Sequence, residues 1–325
     1  MVKPTFLLMI TLSLAVNQPL LGQSEEIDQH QLQELLQFSD STGANRAMVI
    51  HNSEVIGSFK SSHCDSAHMS TASMIKSWTG LAVGILIDKG LVDSEDDMIC
   101  QYVPEWRSGC ENDVTIRQLL TMSSGLKKIR PASKSILAQD DMNKFALSQK
   151  ITEKSGSTFS YSNEGVQLLG ILIEKVSNES ADTFFRQNIF APLGMDSTRL
   201  WQDKAGNDIV YGGAHNTTLQ DASKIGLLML NNGRYKDRRV VSKEWIQKST
   251  SPSKVADSYG YLWWLDPSNQ ASAMKNYAAM GDLGQMIVIF PEKDLVYLRQ
   301  QSCKNTDIFF RQRQRFCGDC GSSLY

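Results

Sequence analysis

The chain has 325 residues, 41% of them hydrophobic and 21% charged, with a formal net charge of −2. That length suits one large domain or two intimate lobes. The near-neutral charge gives no electrostatic footing for a nucleic-acid partner, and the composition is that of an ordinary globular protein.

The N-terminus reads as a secretory signal: Lys3 supplies the charge, residues 6–16 the apolar core, and Leu20-Leu21-Gly22 a cleavage site. The apolar stretch is too short to span a bilayer. Gln23 stands where a bacterial lipoprotein needs cysteine, so no lipid or membrane anchor is expected. The mature protein is therefore expected to start near Gln23 and to be periplasmic or secreted, with residues 1–22 removed and 23–325 forming a single domain. Six cysteines, Cys64, Cys100, Cys110, Cys303, Cys317 and Cys320, remain in it. An even count in an exported chain points to disulfides. Cys100 with Cys110 is the preferred local pair, because they flank a short loop containing proline and glycine. Cys317-Gly318-Asp319-Cys320 has no second Cys-x-x-Cys and no His-x-x-x-His beside it, which disfavours a zinc or redox site. No metal or cofactor is expected.

In chain order, residues 24–38 read as a weakly amphipathic helix with Ile27, Leu32, Leu35 and Leu36 on its apolar side. Residues 47–51 and 55–59 form a β-hairpin around Asn52-Ser53-Glu54. His63-Cys64-Asp65-Ser66 is a loop. Residues 73–90 then read as one helix, apolar nearly all round and so expected to be buried. It opens with Ser73-Met74-Ile75-Lys76. Residues three apart share a helix face, so the Lys76 amine can reach the Ser73 hydroxyl. The helix start offers open N–H groups and a partial positive charge to a developing alkoxide. A lysine that acts as a base must be neutral, and burial favours the neutral amine. Ser-x-x-Lys occurs four times, at Ser73, Ser124, Ser251 and Ser272. Turn residues interrupt the motifs at Ser124 and Ser251, and Ser272 follows the polar Asp266-Pro267-Ser268-Asn269. Ser73 alone opens a buried helix, and Gly80 and Gly84 within it allow close approach of a neighbour.

An acidic turn at 93–97 and an irregular segment at 102–106 follow. Helices are expected at 115–120, with Thr115 in the cap region, and at 142–149, 165–176, 181–190, 219–231 and 242–249. Tyr161-Ser162-Asn163 lies between a Ser/Thr/Gly-rich loop and the 165–176 helix, with Asn163 as a plausible cap. His215 falls in the loop Gly212-Gly213-Ala214-His215-Asn216, where a surface or packing reading is favoured. Strands are expected at 259–265, 275–280, 285–290 and 295–300, the last two joined by the hairpin signal Pro291-Glu292-Lys293-Asp294. Tyr259, Tyr261, Trp263 and Trp264 give both faces of the first of these aromatics. A basic helix at 306–316 closes the chain. Strands at both ends and helices between them make an α/β fold. One antiparallel sheet is built from 23–72 and 205–325, a helical lobe at 73–204 is inserted, and the site lies in the cleft between them. No Gly-x-Ser-x-Gly elbow, phosphate loop or dinucleotide fingerprint is present.

At these motifs the chain resembles the serine β-lactamase and penicillin-recognising family, in its branch of class C enzymes, esterases and 6-aminohexanoate-dimer hydrolases. The matching stretches are Ser73-Met74-Ile75-Lys76, Leu119-Leu120-Thr121-Met122-Ser123-Ser124-Gly125-Leu126, Tyr161-Ser162-Asn163-Glu164-Gly165, Ala191-Pro192-Leu193-Gly194-Met195 and Gly284 through Glu292, in the family's order. The resemblance implies an acylated nucleophile at Ser73, Lys76 as its base partner, Tyr161 sharing proton transfer, and Asn163 orienting Lys76 or the substrate amide. The family's Lys-Thr-Gly is absent. The matching place, Met280-Gly281-Asp282-Leu283-Gly284-Gln285, is similar to the shorter form of the dimer hydrolases, which disfavours recognition of a β-lactam carboxylate. There the resemblance implies an oxyanion hole from the Ser73 and Asp282 N–H groups, with Gly281 allowing close approach and Gly284 and Gln285 completing the binding stretch. The implied partner is a small amide, ester or peptide substrate. The alternative is a catalytically silent member of the fold that binds cell-wall peptide or a protein.

Overall fold

The computed structural model describes residues 27–62, 67–127, 129, 134–266 and 275–301. Helix α1 (Gln29–Ser41) begins where the Asp28 side chain accepts hydrogen bonds from the His30 and Gln31 N–H groups, donors that a helix start leaves open. Strands β1 (Arg46–His51) and β2 (Glu54–Lys60) pair around Asn52 and Ser53, both at positive φ. The helical middle comprises α2 (Ile75–Asp88), α3 (Arg107–Glu111), α4 (Ile116–Leu120), α5 (Met142–Ser148), α6 (Asn163–Ser177) and α7 (Ala181–Phe185). It is followed by the hairpin β3 (Arg199–Gln202) and β4 (Asp208–His215), helix α8 (Leu219–Leu230), the short pair β5 (Arg234–Tyr235) and β6 (Arg238–Arg239), and helix α9 (Lys243–Ser249). Strands β7 (Trp264–Leu265), β8 (Tyr277–Gly281), β9 (Gln285–Phe290) and β10 (Leu295–Gln300) complete the described chain.

The main sheet runs β2-β1-β10-β9-β8-β7, antiparallel throughout. Arg46 faces Gln300 and His51 faces Leu295, so strands from opposite ends of the chain are neighbours, as the α/β reading expects. Leu32 and Leu35 of α1 cover one face, against Val49, Val288 and Tyr297. Helix α8 covers the other, so closely that a Cβ on Gly226 would stand 2.6 Å from Val296 Cγ1. Covered on both sides, β10 buries all six of its residues, which is why it reads as a continuous run rather than an alternating one.

Helix α2 is buried from Ile75 to Leu86, as a helix apolar on every side requires. The Trp245 indole lies directly on Gly84, where a Cβ would overlap the ring, and its Nε1 donates to Gly80 O at 3.0 Å. Ser77 Oγ donates to Leu262 O (2.6 Å) and Thr79 Oγ1 to Val210 O (2.7 Å), tying α2 to the segment before β7 and to β4. Thr115 caps α4 through a capping box with Gln118, and Ser242 caps α9. Cys100 and Cys110 form a disulfide.

Three expectations change. Of the strand expected at 259–265 only Trp264 and Leu265 are extended; Leu262 takes φ 61°, and a Cβ on Gly260 would overlap Ser249 O. The 181–190 helix is α-helical only to Phe185, then passes through a π turn (Arg186–Phe190) and a 3₁₀ turn (Ala191–Leu193) that Gly194 ends at φ 65°. The stretch holding His215 is β4, not a loop. The expected signal segment, the 306–316 helix, Ser272, Cys64, Cys303, Cys317 and Cys320 lie outside the described residues. Among the described residues no helix is long and apolar enough to cross a membrane.

Carboxylates tie α7 to the β3–β4 hairpin. Asp208 accepts from Asp182 N (2.7 Å) and Gln202 Nε2 (2.9 Å), and Asp182 accepts from Leu200 N (2.8 Å). Burial, and then the charge of Asp208, push the Glu174 carboxyl from its ordinary 4.5 up to about 7. A raised acid holds its proton longer in the folded state, so this group's stability contribution is full below pH 4.5 and lost as pH rises to 7. Glu174→Gln is therefore expected to raise stability at pH 8 by up to about 3 kcal/mol and to change it little at pH 4. Chemical denaturation at the two pH values reads this directly.

Candidate active site

Ser73 sits half-buried on the 3₁₀ turn Ala72–Met74 that leads into α2. The approach is bent: Ala72 holds φ 46°, a left-handed conformation that a Cβ disfavours. Two flanks fix it. On the β4 side, Thr71 N donates to Ala214 O (3.0 Å), Ala214 N donates to Thr71 Oγ1 (2.8 Å), and Met69 N donates to Thr217 O (2.9 Å). On the β8 side, a Cβ on Gly281 would stand 2.6 Å from Thr71 O and 3.1 Å from both Ala72 Cβ and Met74 N. Glycine therefore lets the end of β8 meet the Ser73 turn backbone to backbone.

Lys76 lies one turn along α2, 2% exposed. Its Nζ donates to Ser73 Oγ at 3.0 Å and to Tyr211 O at 2.6 Å. The same atom stands 5.0 Å from the centre of the Tyr161 ring and 5.6 Å from that of Tyr211. The Tyr211 carbonyl, which aims the amine, was not anticipated: a main-chain acceptor leaves no side-chain signature. The Tyr211 hydroxyl points elsewhere, donating to Met142 Sδ, and burial pushes it well above its ordinary range.

Tyr161 is carried on a loop propped by the stretch Leu119 to Leu126. Ser160 N donates to Met122 O (2.7 Å), Gly156 N to Ser123 O (2.7 Å) and Thr152 N to Gly125 O (3.1 Å), while Gly125 takes φ 85°. That stretch thus supports the tyrosine without touching Ser73 through any of these bonds. Ser162, rather than Asn163, caps α6: its Oγ accepts from Gly165 N at 3.0 Å and donates to Glu164 Oε2 at 3.1 Å. Asn163 is the first helical residue, and the hydrogen bonds of Lys76 go to Ser73 and Tyr211 instead of to it.

After Gly281 the chain turns through Asp282–Gly284, with Asp282 exposed, Leu283 at φ 65° and Gly284 at φ 79°. Arg299, 4% exposed, holds this turn from behind: Nη1 donates to Leu283 O (3.2 Å) and Gly284 O (2.8 Å), and Nη2 to Thr42 O (2.9 Å) at the end of α1. A Cβ on Gly284 would overlap that guanidinium. Gln285 is buried, its Nε2 donating to Gln301 O and its Oε1 accepting from Gln301 N. These bonds place Gly284 in the turn and Gln285 at the sheet end. Gly281 meets the Ser73 turn through its backbone.

Neither described rival motif pairs its serine with its lysine. Ser124 O accepts from Ser155 Oγ while Lys127 pairs with Glu153 at 3.2 Å, and Ser251 Oγ donates to Gln247 O. His215 ends β4 with its ring 4.6 Å from that of Trp201.

Aromatic rings continue the site beyond Tyr161. Trp264 stacks on it, ring centres 6.1 Å apart and planes 17° apart. Phe159 lies 6.4 Å from Trp264 and 5.0 Å from Tyr259, which is buried beneath both. Burial, and then the Tyr161 phenol, push the Tyr259 hydroxyl well above its ordinary range.

The family model described as Beta-lactamase matches residues 44–299. Beta-lactamase-like protein 2 of Dictyostelium discoideum is 26% identical over 241 residues, covering 70% of this chain and 40% of that protein. The chain spans well under half the length of the curated relatives it matches. Two solved structures are similar in fold. One is a Bacillus anthracis protein provisionally described as a 6-aminohexanoate-dimer hydrolase (TM-score 0.70, 19% identity, 88% of this chain and 80% of that one). The other is a D-stereospecific amidohydrolase from Streptomyces sp. (TM-score 0.66, 16% identity, 90% and 99%).

Proposed function

Because the chain belongs to the beta-lactamase family of serine hydrolases, we propose that it cleaves a small amide or ester through an acyl-enzyme on Ser73. The observation that carries the reading is the buried Lys76 amine 3.0 Å from the Ser73 hydroxyl. In this reading Ser73 Oγ attacks the substrate carbonyl carbon and its proton passes to Lys76. The tetrahedral oxyanion is held by the N–H groups of Ser73 and Asp282. The bond to the leaving oxygen or nitrogen breaks as Tyr161 delivers a proton to that atom and regains one from Lys76. Water then repeats the sequence on the acyl-enzyme, releasing the acid and restoring Ser73. Asn163, at the start of α6, orients the substrate amide. The protein acts outside the cytoplasm after loss of residues 1–22. A β-lactam is disfavoured because Met280 through Gln285 carries no cation for its carboxylate.

Intact mass after exposure to a fluorophosphonate, beside Ser73→Ala, tests this. One adduct on the wild type, mapped to the Ser73 peptide and absent from the variant, is expected. No adduct on folded protein favours the silent binding protein, and labelling at Ser124, Ser251 or Ser272 moves the nucleophile.

A further inference from the structure

The rings beside Tyr161 are placed as a surface for something flat. Phe159, Tyr161 and Trp264 are all half-buried and adjoin one another over the buried Tyr259. Core rings of this size are ordinarily closed off, as Trp78, Trp106 and Trp263 are here. The half-open group starts where the chemistry starts, with the Tyr161 ring 5.0 Å from Lys76 Nζ. Charge points the same way. Lys76 is buried and spends its hydrogen bonds on Ser73 and Tyr211, while the end of β8 offers the exposed Asp282. A substrate carboxylate there would meet an anion, whereas a neutral flat group would meet aromatic faces.

We infer that Trp264 and Phe159, continuing from Tyr161, form the subsite for the leaving group, and that the preferred substrate releases an alcohol or amine carrying a neutral aryl or similarly flat apolar group. This rests on the acyl-enzyme reading above. In that reading Tyr161 protonates the leaving atom, so whatever is attached to that atom lies beside Tyr161, where Trp264 and Phe159 continue the aromatic surface. Offset or edge contacts with Trp264 and Phe159 then select flat groups over flexible chains of equal polarity. Trp264 touches substrate in this assignment and is a specificity determinant.

Acetate esters of 2-phenylethanol, 1-butanol and ethanol share one acyl group and leaving groups of similar basicity, so their rates differ through binding. The phenylethyl ester is expected to exceed the butyl ester in kcat/KM by about tenfold, mostly through KM. Trp264→Leu should reduce that ratio to about twofold, and Trp264→Phe should restore most of it. Phe159→Leu is the second variant, should Trp264→Leu fail to fold by thermal melt. A measurement without turnover accompanies these: 2-phenylethanol should slow fluorophosphonate labelling of Ser73 at lower concentration than 1-butanol, and lose that advantage in the folded variant. Ser73 labelling with no aryl preference in either measurement, or a preference unchanged in the variants, overturns the subsite and leaves the hydrolase reading standing. A folded wild type whose Ser73 does not label at all overturns both.

Discussion

Lys76→Met is expected to lower kcat/KM toward any ester or amide substrate by about 10²–10⁴-fold, the range for a positioned proton-transfer group. KM should move far less than kcat, because the amine contacts the nucleophile and not the substrate. Methionine keeps the unbranched length and the apolar bulk beside the Tyr161 and Tyr211 rings. The variant leaves Ser73 Oγ and Tyr211 O without the donor that serves both at 3.0 and 2.6 Å. An orphaned buried carbonyl costs about 1–3 kcal/mol, but the variant also ceases to bury an amine, so its melting temperature should stay near that of the wild type. Steady-state kinetics with a thermal melt on the same preparation separates lost chemistry from lost fold. A rate within tenfold of wild type would transfer the base role to Tyr161.

Gly281→Val should be nearly as damaging by a different route. Its Cβ would stand 2.6 Å from Thr71 O, a separation real side chains do not show, with Ala72 Cβ and Met74 N at 3.1 Å. Main chain lies on that side, so either β8 or the Ser73 turn must retreat. Retreat separates the Asp282 N–H from the serine it is proposed to serve. Loss of a single oxyanion donor costs about 10²–10³ in kcat, and forcing volume into a full site costs about 1–3 kcal/mol of stability. The variant should retain some fluorophosphonate labelling, since Ser73 and Lys76 sit on the same helix start and move together. Activity and labelling that both match the wild type would show that the approach of β8 to Ser73 is not required.

What was legible in the chain follows from the range over which each signal acts. β9 and β10 match the expected 285–290 and 295–300, because two apolar runs around a four-residue turn specify themselves locally. Thr115 falls in the expected cap region, and there it forms a capping box with Gln118. Ser73 and Lys76 come together because a helix brings residues three apart onto one face, whatever surrounds it. The remainder depends on distant main chain. Gly212 and Gly213 look like loop residues, yet they lie in β4, where a Cβ on Gly213 would stand 2.8 Å from Ser70 Oγ and 3.3 Å from Ala72 N. The need for glycine there comes from the Ser73 turn, far away in the chain. The bonds of Gly284 to Arg299 and of Gln285 to Gln301 likewise join residues about fifteen apart, beyond the reach of local spacing. Alternating aromatics at Tyr259 to Trp264 imitate a strand, but Gly260 lies against the Ser249 carbonyl, where a continuing strand has no room.

The pairing of Arg46 with Gln300 sets an order of assembly. As the chain is synthesised, β1 and β2 emerge ahead of the other strands, and their hairpin waits with one edge open until β10 follows. Helices α2 to α7 make contacts closer in sequence and can collapse sooner, since loop closure delays distant pairings. The nucleophile's own turn is divided between these stages: β4 joins it partway through synthesis, whereas Gly281 reaches it only with the last strands. The turn therefore gains its second flank at about the same moment as the sheet closes. Until those strands arrive, the Ser73 turn has its β4 flank and lacks the one that Gly281 provides.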